Sequence, residues 1–334
     1  MMITDPERGH GPFSTVSLGQ SGLHGSRLCL GTMTFGTQMD EGESHRVLDE
    51  AFDRGIRFFD TANVYGAGAS ERILGSWLRG HRDQVVVASK VRYEVAGSAF
   101  SVGLSRRAIK EQVEASLNRL EVDCLDILYF HQPDDETAIE ESLHAVDDLV
   151  REGKVHLLGL SNYASWQVTE SIWSAQQHGW VVPRVVQPMY NLLARGIEQE
   201  LLPCTRHYQL GVVVYNPLAA GLLCGKHRFD LDPDSSGRFE VFPYYRDRYW
   251  HRELFNAVER LSDIAGEAGR SLLSLSLQWV LDRPGVSGVL LGVSSLDQLR
   301  QNLDAFGDPL SEDVLLACDE VWKGLRGPLP VYNR

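Results

Sequence analysis

The chain has 334 residues, of which 43% are hydrophobic and 23% charged, the composition of a globular protein with a large core. Its formal net charge of −13 argues against binding to nucleic acid, which requires a concentrated lysine and arginine surface. The five cysteines form no CxxC pair and no cluster with histidine, so we expect neither a disulfide framework nor a metal site.

The N-terminus is polar, and no run of about eighteen apolar residues occurs that would span a bilayer. Neither a secretory signal nor a membrane span is therefore predicted. We expect a cytoplasmic protein, since unpaired cysteines are typical of that compartment. The predicted helices carry no heptad seam, so monomer and homodimer both remain open.

Short runs rich in β-branched residues alternate with stretches of helical periodicity along the chain. The first element is a predicted hairpin, in which 15–18 and 27–30 flank a turn at 20–22. Further strands are predicted at 57–60, 84–89, 125–130, 154–160, 184–187, 211–215 and 287–291. Helices are predicted at 44–54, 70–78 (with Ser70 as its N-cap), 105–120, 138–151, 164–178, 197–207, 252–265, 272–282, 296–303 and 312–323.

Strands that alternate with helices pair in parallel, which leaves a closed barrel and an open doubly wound sheet as alternatives. An open sheet predicts a GxGxxG turn after its first strand, but here that strand leads into the sequence GTMTFG at 31–36. The nearest similar segment, 66–68, has Glu71 in place of the third glycine. We therefore predict an α/β protein with one domain over 1–334, a (β/α)8 TIM barrel. The hairpin caps its N-terminal face, and extra helices follow at the C-terminal end.

Polar residues stand at the ends of three successive predicted strands, where the active sites of such barrels lie. Asp60, Lys90 and His131 each end an apolar strand, and Tyr65 lies on the loop after Asp60. Each residue alone is better explained by capping, solvation or packing, but the four together predict a catalytic site.

Reduction of a carbonyl requires hydride at carbon and a proton at oxygen. A phenol, with a pKa of about 10, can supply the proton if a nearby cation lowers that pKa. We predict Tyr65 as the general acid, Lys90 as the cation, Asp60 as the partner that holds Lys90, and a neutral His131 that donates a hydrogen bond to the carbonyl oxygen.

The sequence FDTAxxY at 59–65, the pair Ser89-Lys90 and the strand-end His131 resemble, in order and spacing, the catalytic tetrad of the aldo-keto reductases. The resemblance covers nearly the whole chain and implies NADPH-dependent reduction of an aldehyde or ketone. Further segments are similar to the aflatoxin-aldehyde and succinic-semialdehyde reductase branch, namely 30–33, 159–163, 187–191, 215–218, 237–239, 248–250, 291–299 and the C-terminal Arg334.

The resemblance also implies the residues that hold the cofactor. Ser161, Asn162 and Gln187 bind the nicotinamide carboxamide, and Tyr215 stacks on the nicotinamide ring. From the residues themselves, the small side chains and backbone N–H groups of 218–226 are expected to approach the pyrophosphate, where Lys226 and Arg238 add positive charge. The interval 227–249 is too long for a routine connection, and we expect it to form a loop that folds over the cofactor. Taken alone, Asn162 and Gln187 fit turn capping equally well, and 227–249 fits a flexible insertion. The predicted cofactor residues are Thr32, Met33, Asp60, Ser161, Asn162, Gln187, Tyr215, Asn216, Pro217, Leu218, Gly221, Leu222, Gly225, Lys226, Arg238, Gly292, Ser294, Gln298, Gln301 and Asn302.

The adenosine end of the cofactor is expected at the helix after the last strand, whose N-terminus suits a phosphate. Many relatives carry lysine or arginine there, whereas this chain has Gly292 and Gln298. Ser294, Gln298 and Asn302 are similar to the semialdehyde-reductase branch, which uses NADPH without those cations. The resemblance favours NADPH, charge alone leaves NADH open, and Arg300 is a nearby cation without an assigned role.

The substrate pocket is expected to have apolar walls from Phe35, Tyr163 and Trp166. Arg334, if the tail folds back, and Arg248 are expected to receive a substrate carboxylate. Two alternatives stay open: a keto-sugar reductase of a natural-product pathway, and a cofactor-binding regulatory subunit similar to the β subunits of potassium channels.

Overall fold

In a computed structural model, which describes residues 11–95, 102–232 and 237–328, eight parallel strands close into a barrel. After a two-stranded hairpin of β1 (Thr15–Ser17) and β2 (His24–Ser26), the barrel strands are β3 (Leu28–Gly31), β4 (Phe58–Asp60), β5 (Val86–Val91), β6 (Leu125–Phe130), β7 (Val155–Ser161), β8 (Val185–Gln187), β9 (Gly211–Val214) and β10 (Gly288–Gly292). β10 closes the ring by pairing with both β9 and β3. The predicted (β/α)8 TIM barrel is confirmed.

Helices surround the barrel and extend the chain beyond its last strand. They are α1 (Glu41–Asp53), α2 (Ala69–Leu78), α3 (Arg106–Leu120), α4 (Ile139–Arg151), α5 (Ser165–His178), α6 (Leu201–Tyr208), α7 (Arg238–Val241), α8 (Pro243–Tyr249), α9 (Arg252–Glu267), α10 (Leu272–Leu281), α11 (Leu296–Asp304) and α12 (Glu312–Arg326). Within the described residues, none of these helices is long and apolar enough to cross a membrane.

The predicted hairpin has the wrong second strand. We expected 27–30 to pair with 15–18, but β1 pairs with β2, with Thr15 opposite Ser26. Residues 28–31 instead form the first barrel strand. They are buried, and their backbone pairs with β4 and β10.

The hairpin closes the N-terminal end of the barrel, as predicted. Leu18 is fully buried in the same cluster as Phe58 and Val213 inside the barrel. Gly19 approaches the backbone of β9 so closely that a Cβ atom would lie 2.5 Å from the Gly211 nitrogen. Glycine is therefore required at position 19 for the hairpin to pack against β9.

Two helix starts differ from the prediction for identifiable reasons. α1 begins three residues early because the Asp40 side chain accepts from the backbone N–H of Glu43 at 2.8 Å, which is the geometry of an N-cap. Ser70 is not an N-cap: α2 begins at Ala69, and the Ser70 hydroxyl donates to the Thr32 carbonyl at 2.8 Å.

The core has two layers, because successive strand residues face opposite sides of the barrel wall. On β6, Ile127 and Tyr129 belong to the cluster inside the barrel, whereas Leu128 and Phe130 belong to the larger cluster between strands and helices. The interior is filled with side chains, so the chemistry is confined to the C-terminal rim.

Candidate active site

Four polar side chains meet at the C-terminal rim of the barrel. Asp60 ends β4, Lys90 lies near the end of β5, and His131 directly follows β6. Tyr65 begins a short turn, Tyr65–Gly68, between β4 and α2. The Nζ atom of Lys90 lies 3.4 Å from the Tyr65 hydroxyl, and the rings of Tyr65 and His131 are 5.9 Å apart. The four residues, which were predicted from the ends of three separate strands, are thus brought together.

The amine of Lys90 is almost fully enclosed, and its Nζ atom contacts three oxygens. It donates to the carboxylate of Asp60, to the backbone carbonyl of Thr61 at 2.9 Å, and to the hydroxyl of Tyr65. These acceptors match the three N–H groups of an ammonium ion. Burial lowers the pKa of Lys90, and Asp60 opposes that shift, so the carboxylate is what keeps the buried lysine charged.

Asp60 is fully buried and uses both of its carboxylate oxygens. Oδ1 contacts Lys90, and Oδ2 accepts from the Nε2 atom of Gln187 at 2.7 Å, across the barrel on β8. Burial raises the pKa of Asp60, while Lys90 and Gln187 lower it. Donors on both oxygens are the pattern of an ionised carboxylate.

His131 lies edge-on between Tyr65 and Tyr93, whose ring centroids are 5.9 and 5.0 Å from its own. Burial, followed by the cations Lys90 and Arg92, lowers its pKa to about 3. The imidazole is therefore neutral at neutral pH, as predicted. Its Nδ1 atom is buried without a hydrogen-bond partner among the described residues. An unpaired acceptor costs less than an unpaired donor, which favours the tautomer with its proton on Nε2.

The pKa of Tyr65 differs from the prediction. We expected Lys90 to lower it, but burial raises it well above its usual value, with further contributions from Asp60 and Tyr245, and Arg238 opposes this only in part. The prediction counted the cation and not the enclosure of the phenol. A phenol with a raised pKa keeps its proton throughout the neutral range, which is the state that a general acid needs.

Hydrogen bonds join the ends of β7, β8 and β9 beside these four residues. The Ser161 hydroxyl donates to the Gln187 carbonyl at 2.9 Å. Asn162 donates from Nδ2 to the His131 carbonyl at 2.8 Å, and its Oδ1 accepts from the Tyr215 hydroxyl at 2.8 Å. Asn162 has a φ of 61°, a left-handed conformation that asparagine tolerates. The predicted nicotinamide-binding residues therefore lie together at the rim.

Comparison with known proteins places this geometry in a family, because residues 27–323 match the sequence model of the Aldo/keto reductase family. The chain belongs to this family. It is 38% identical over 324 residues to aflatoxin B1 aldehyde reductase member 2 of Homo sapiens, covering 91% of this chain and 89% of that protein. It is 35% identical over 325 residues to the uncharacterized oxidoreductase YrpG of Bacillus subtilis (94% and 97%). It is also 36% identical over 295 residues to a probable voltage-gated potassium channel subunit beta of Arabidopsis thaliana (86% and 90%).

The aldo-keto reductase is thus an NAD(P)H-dependent oxidoreductase that acts on carbonyl groups, as predicted. Its described residues fit a nicotinamide dinucleotide. The guanidinium of Arg238 lies beside the end of β10, where a Cβ atom on Gly292 would be 3.5 Å from its nearest nitrogen. The absence of a side chain at Gly292 leaves room for this cation, and a guanidinium at a strand end suits a phosphate group.

The turn Ala219–Cys224 gives the aldo-keto reductase a second feature at this rim. Ala220 and Gly221 take left-handed conformations there. The backbone N–H of Gly221 donates to the Leu218 carbonyl at 2.8 Å, and that of Ala220 donates to the Asn216 side chain at 2.7 Å. Because these amides are used within the turn, Arg238 is better placed than the turn to supply donors to a phosphate.

At the expected adenosine end, Gln298 is bound to its own helix start. Its Oε1 atom accepts from both the backbone N–H and the hydroxyl of Ser294 at 3.0 Å. Asn302 is buried and Gln301 is exposed. Arg300 donates to Glu50 at 2.8 and 3.0 Å, so this cation is already paired with α1. The other predicted cofactor residues lie in segments around the same rim: Thr32, Met33, Asn216, Pro217, Leu218, Gly221, Leu222, Gly225 and Lys226.

The interval 227–249, predicted as a loop, contains α7 and α8 in its described part. The Tyr249 hydroxyl anchors α8: it accepts from the side-chain amides of Asn191 at 3.1 Å and Asn216 at 2.9 Å. Tyr245 is buried and contributes to the raised pKa values of both Tyr65 and Tyr215. α8 therefore lies over the catalytic rim of the aldo-keto reductase.

The predicted substrate residues are not all brought together. Phe35 is fully buried in the core, and Tyr163 is 8% exposed. Trp166 lies on the surface of α5 with 64% of its side chain exposed. Arg248 donates to the Met189 sulfur at 3.3 Å and lowers the pKa of Tyr215, so it does lie at the rim. Arg334 lies outside the described residues.

The sequence reasoning missed a buried amide pair behind Tyr65. The Nδ2 atom of Asn63 donates to the Oε1 atom of Gln112 at 2.8 Å, and that oxygen also accepts from the backbone N–H of Arg92 at 2.8 Å. The pair ties the loop before Tyr65 to the segment after Lys90. Asn63 lies inside the tetrad motif and could have been noticed. Gln112, in the middle of a helix, gave no signal.

Proposed function

We propose that this aldo-keto reductase uses NADPH to reduce an aldehyde or ketone, and that Tyr65 gives the proton to the carbonyl oxygen. The observation that carries the proposal is the contact of the buried Lys90 amine with the Tyr65 hydroxyl, beside the neutral imidazole of His131. NADPH supplies hydride to the carbonyl carbon when it is bound.

The proton moves from the Tyr65 hydroxyl to the substrate oxygen. The ammonium of Lys90 stabilises the phenolate that remains, and Asp60 with Gln187 holds that ammonium in place. The Nε2–H of His131 donates to the carbonyl oxygen and so fixes its distance from Tyr65. A positioned acid of this kind contributes a rate factor of about 10²–10⁴.

Other residues at the rim hold the cofactor in this proposal. Ser161, Asn162 and Gln187 hold the carboxamide, since side-chain amides carry both donor and acceptor atoms. Their polar atoms bond to neighbouring protein groups, so binding exchanges some of these bonds for bonds to the cofactor. Tyr215 supplies a ring on which the nicotinamide stacks. Arg238 was expected at the pyrophosphate, but it lies beside Gly292, at the start of the expected adenosine end. This position favours a contact with the 2′-phosphate, and therefore NADPH over NADH.

Two observations bear on the class of substrate. The name of the human aflatoxin B1 aldehyde reductase supports an aldehyde among the possible carbonyl compounds. Arg248, close to Tyr215, is placed to receive a carboxylate on the substrate, which favours semialdehydes over keto-sugars.

Turnover tests the proposal directly. The protein is mixed with NADPH and 4-nitrobenzaldehyde, and the loss of NADPH absorbance is followed, with NADH in a parallel reaction. Tyr65→Phe should lower kcat by about 10²-fold or more and should still bind NADPH, as read from quenching of the seven tryptophans.

Two results would contradict the proposal. Retained turnover in Tyr65→Phe would mean that the proton comes from another group. Binding of NADPH without turnover, across a panel of aldehydes and ketones, would favour a regulatory role like that suggested by the name of the Arabidopsis relative.

A further inference from the structure

The turn that carries Tyr65 is an unusual piece of backbone. Three successive residues after Tyr65 are left-handed: Gly66 with φ 55°, Ala67 with φ 51° and Gly68 with φ 85°. Ala67 has a Cβ atom, which this conformation disfavours. A turn of this kind keeps its shape only where the surrounding structure holds it.

Arg119 on α3 contacts the far end of this turn. A Cβ atom on Gly68 would lie 2.7 Å from Cδ and 2.9 Å from Nε of Arg119, so glycine is required for the arginine to pack there. The same Nε atom donates to the Oε2 atom of Glu71 at 2.7 Å. Glu71 is fully buried, and Arg119 is 16% exposed. The turn therefore ends against a buried ion pair.

The second oxygen of Glu71 reaches the strand that carries Lys90. Its Oε1 atom accepts from the hydroxyl of Ser89 at 2.5 Å, and Ser89 immediately precedes Lys90 on β5. α2 and α3 are also in close contact, since a Cβ atom on Gly75 would lie 2.6 Å from the Arg119 carbonyl oxygen. Glu71 is thus a bridge between the Tyr65 turn and the Lys90 strand.

We propose that the Glu71–Arg119 ion pair is a positioning device that sets the distance between the Tyr65 hydroxyl and the Lys90 ammonium. This inference rests on the proposed role of Tyr65 as the acid. The Nζ to hydroxyl distance of 3.4 Å is at the long limit for a hydrogen bond, so a small shift of the turn breaks the contact. Buried ion pairs are a weak source of stability, because apolar side chains of similar volume replace them well. Positioning of the Tyr65 turn is thus a stronger explanation of this ion pair than stability is.

The test uses Glu71→Gln and Arg119→Met in the full chain. We expect kcat for 4-nitrobenzaldehyde to fall by about 10–100-fold, the effect of a shift of order 1 Å at a reacting group, with KM for NADPH and for aldehyde within about threefold of the unsubstituted enzyme, because the substrate-facing residues stay. The basic limb of the kcat–pH profile should move to higher pH, since Lys90 then stabilises the Tyr65 phenolate less. A merely structural role would not move that limb.

Arg195 provides a matched control. It is also a buried arginine, 4% exposed, and it pairs with Glu198 at 2.9 Å and Asp319 at 2.7 Å. Arg195→Met should lower Tm and leave the basic limb of the profile where it is in the unsubstituted enzyme.

Ser89→Ala covers the case in which the ion-pair variants fail to fold, because it cuts the link to the Lys90 strand and keeps the pair. It should move the basic limb in the same direction by a smaller amount. Variants that lower Tm but leave the basic limb and the kcat per folded molecule unchanged would overturn the inference. Absence of carbonyl reduction in the unsubstituted protein would instead overturn the proposed function, and the inference with it.

Discussion

The neutral imidazole of His131 makes the stability of the protein depend on pH. Its pKa is lowered from 6.5 to about 3, chiefly by burial, so the unfolded chain binds a proton at weakly acidic pH and the folded chain does not. The contribution of His131 to folding stability is therefore fully present above pH 6.5 and is lost as the pH falls toward 3, with a slope of about 1.4 kcal/mol per pH unit.

We accordingly expect His131→Asn to lose less stability than the unsubstituted protein between pH 6.5 and about 5, by roughly 1–2 kcal/mol. Urea unfolding at the two pH values measures the difference. An equal loss in both proteins would mean that His131 titrates near its ordinary pKa in the folded state. His24, an exposed histidine of the hairpin, gives a control variant, His24→Asn, that should behave as the unsubstituted protein does.

Single residues were predictable from the sequence where a strand end identified them. Asp60, Lys90 and His131 each follow an apolar run, and the closed barrel then places them on one rim. Residues that act through a distant partner gave no such signal. Glu71 and Arg119 are 48 positions apart, and their pairing depends on how α2 packs on α3. The direction of the Tyr65 pKa was missed for the same reason, since burial is a tertiary property.

At the scale of elements, the interval 227–249 departs most from expectation. Its composition predicted a loop, although Pro243 is a frequent first residue of a helix and begins α8. α8 is too short to be stable alone, so its helicity depends on docking, which periodicity does not reveal. The hairpin prediction was wrong for a similar reason. Two short apolar runs were visible in the sequence, but which strand pairs in the hairpin depends on which run joins the barrel.

Docking of α8 depends on one phenol. The Tyr249 hydroxyl accepts from two buried amides and donates to the Met189 sulfur at 3.1 Å. Tyr249→Phe removes one acceptor from each of these amides, and the Asn191 amide then keeps its bond to the Asn216 carbonyl at 2.9 Å. A buried N–H that is left unpaired costs about 1–3 kcal/mol. We expect faster amide hydrogen exchange in 238–249 with little change in the barrel strands. Tyr208→Phe, on α6, removes a phenol elsewhere and should leave exchange in 238–249 unchanged. Equal protection in Tyr249→Phe would show that α8 is held by its other contacts.

At the scale of the whole molecule, the alternation of strands and helices and the lack of a GxGxxG turn were enough to predict the closed barrel. That architecture fixes where a ligand binds but not which one. A cation at the adenosine end favours NADPH over NADH, and from the sequence Arg300 was the unassigned cation there, while Arg238 was expected at the pyrophosphate. Arg300 is paired with Glu50, whereas Arg238 lies beside Gly292.

The two arginines should therefore differ in how they link cofactor binding to global stability. A ligand that binds only the folded state adds about 2.7 kcal/mol at a hundred times its Kd, so NADPH should raise Tm by a few degrees. Arg238→Gln removes a charge-assisted contact worth about 1.5–3 kcal/mol, which should abolish most of that rise. Arg300→Gln should retain it. Thermal unfolding with and without NADPH, repeated with NADH, measures both effects.

A larger loss of the NADPH-induced rise in Tm in Arg300→Gln would assign the phosphate contact to α11. Equal Tm shifts by the two cofactors would mean that Arg238 pairs with the pyrophosphate, which both cofactors share, so that the cation attracts either dinucleotide without selecting between them.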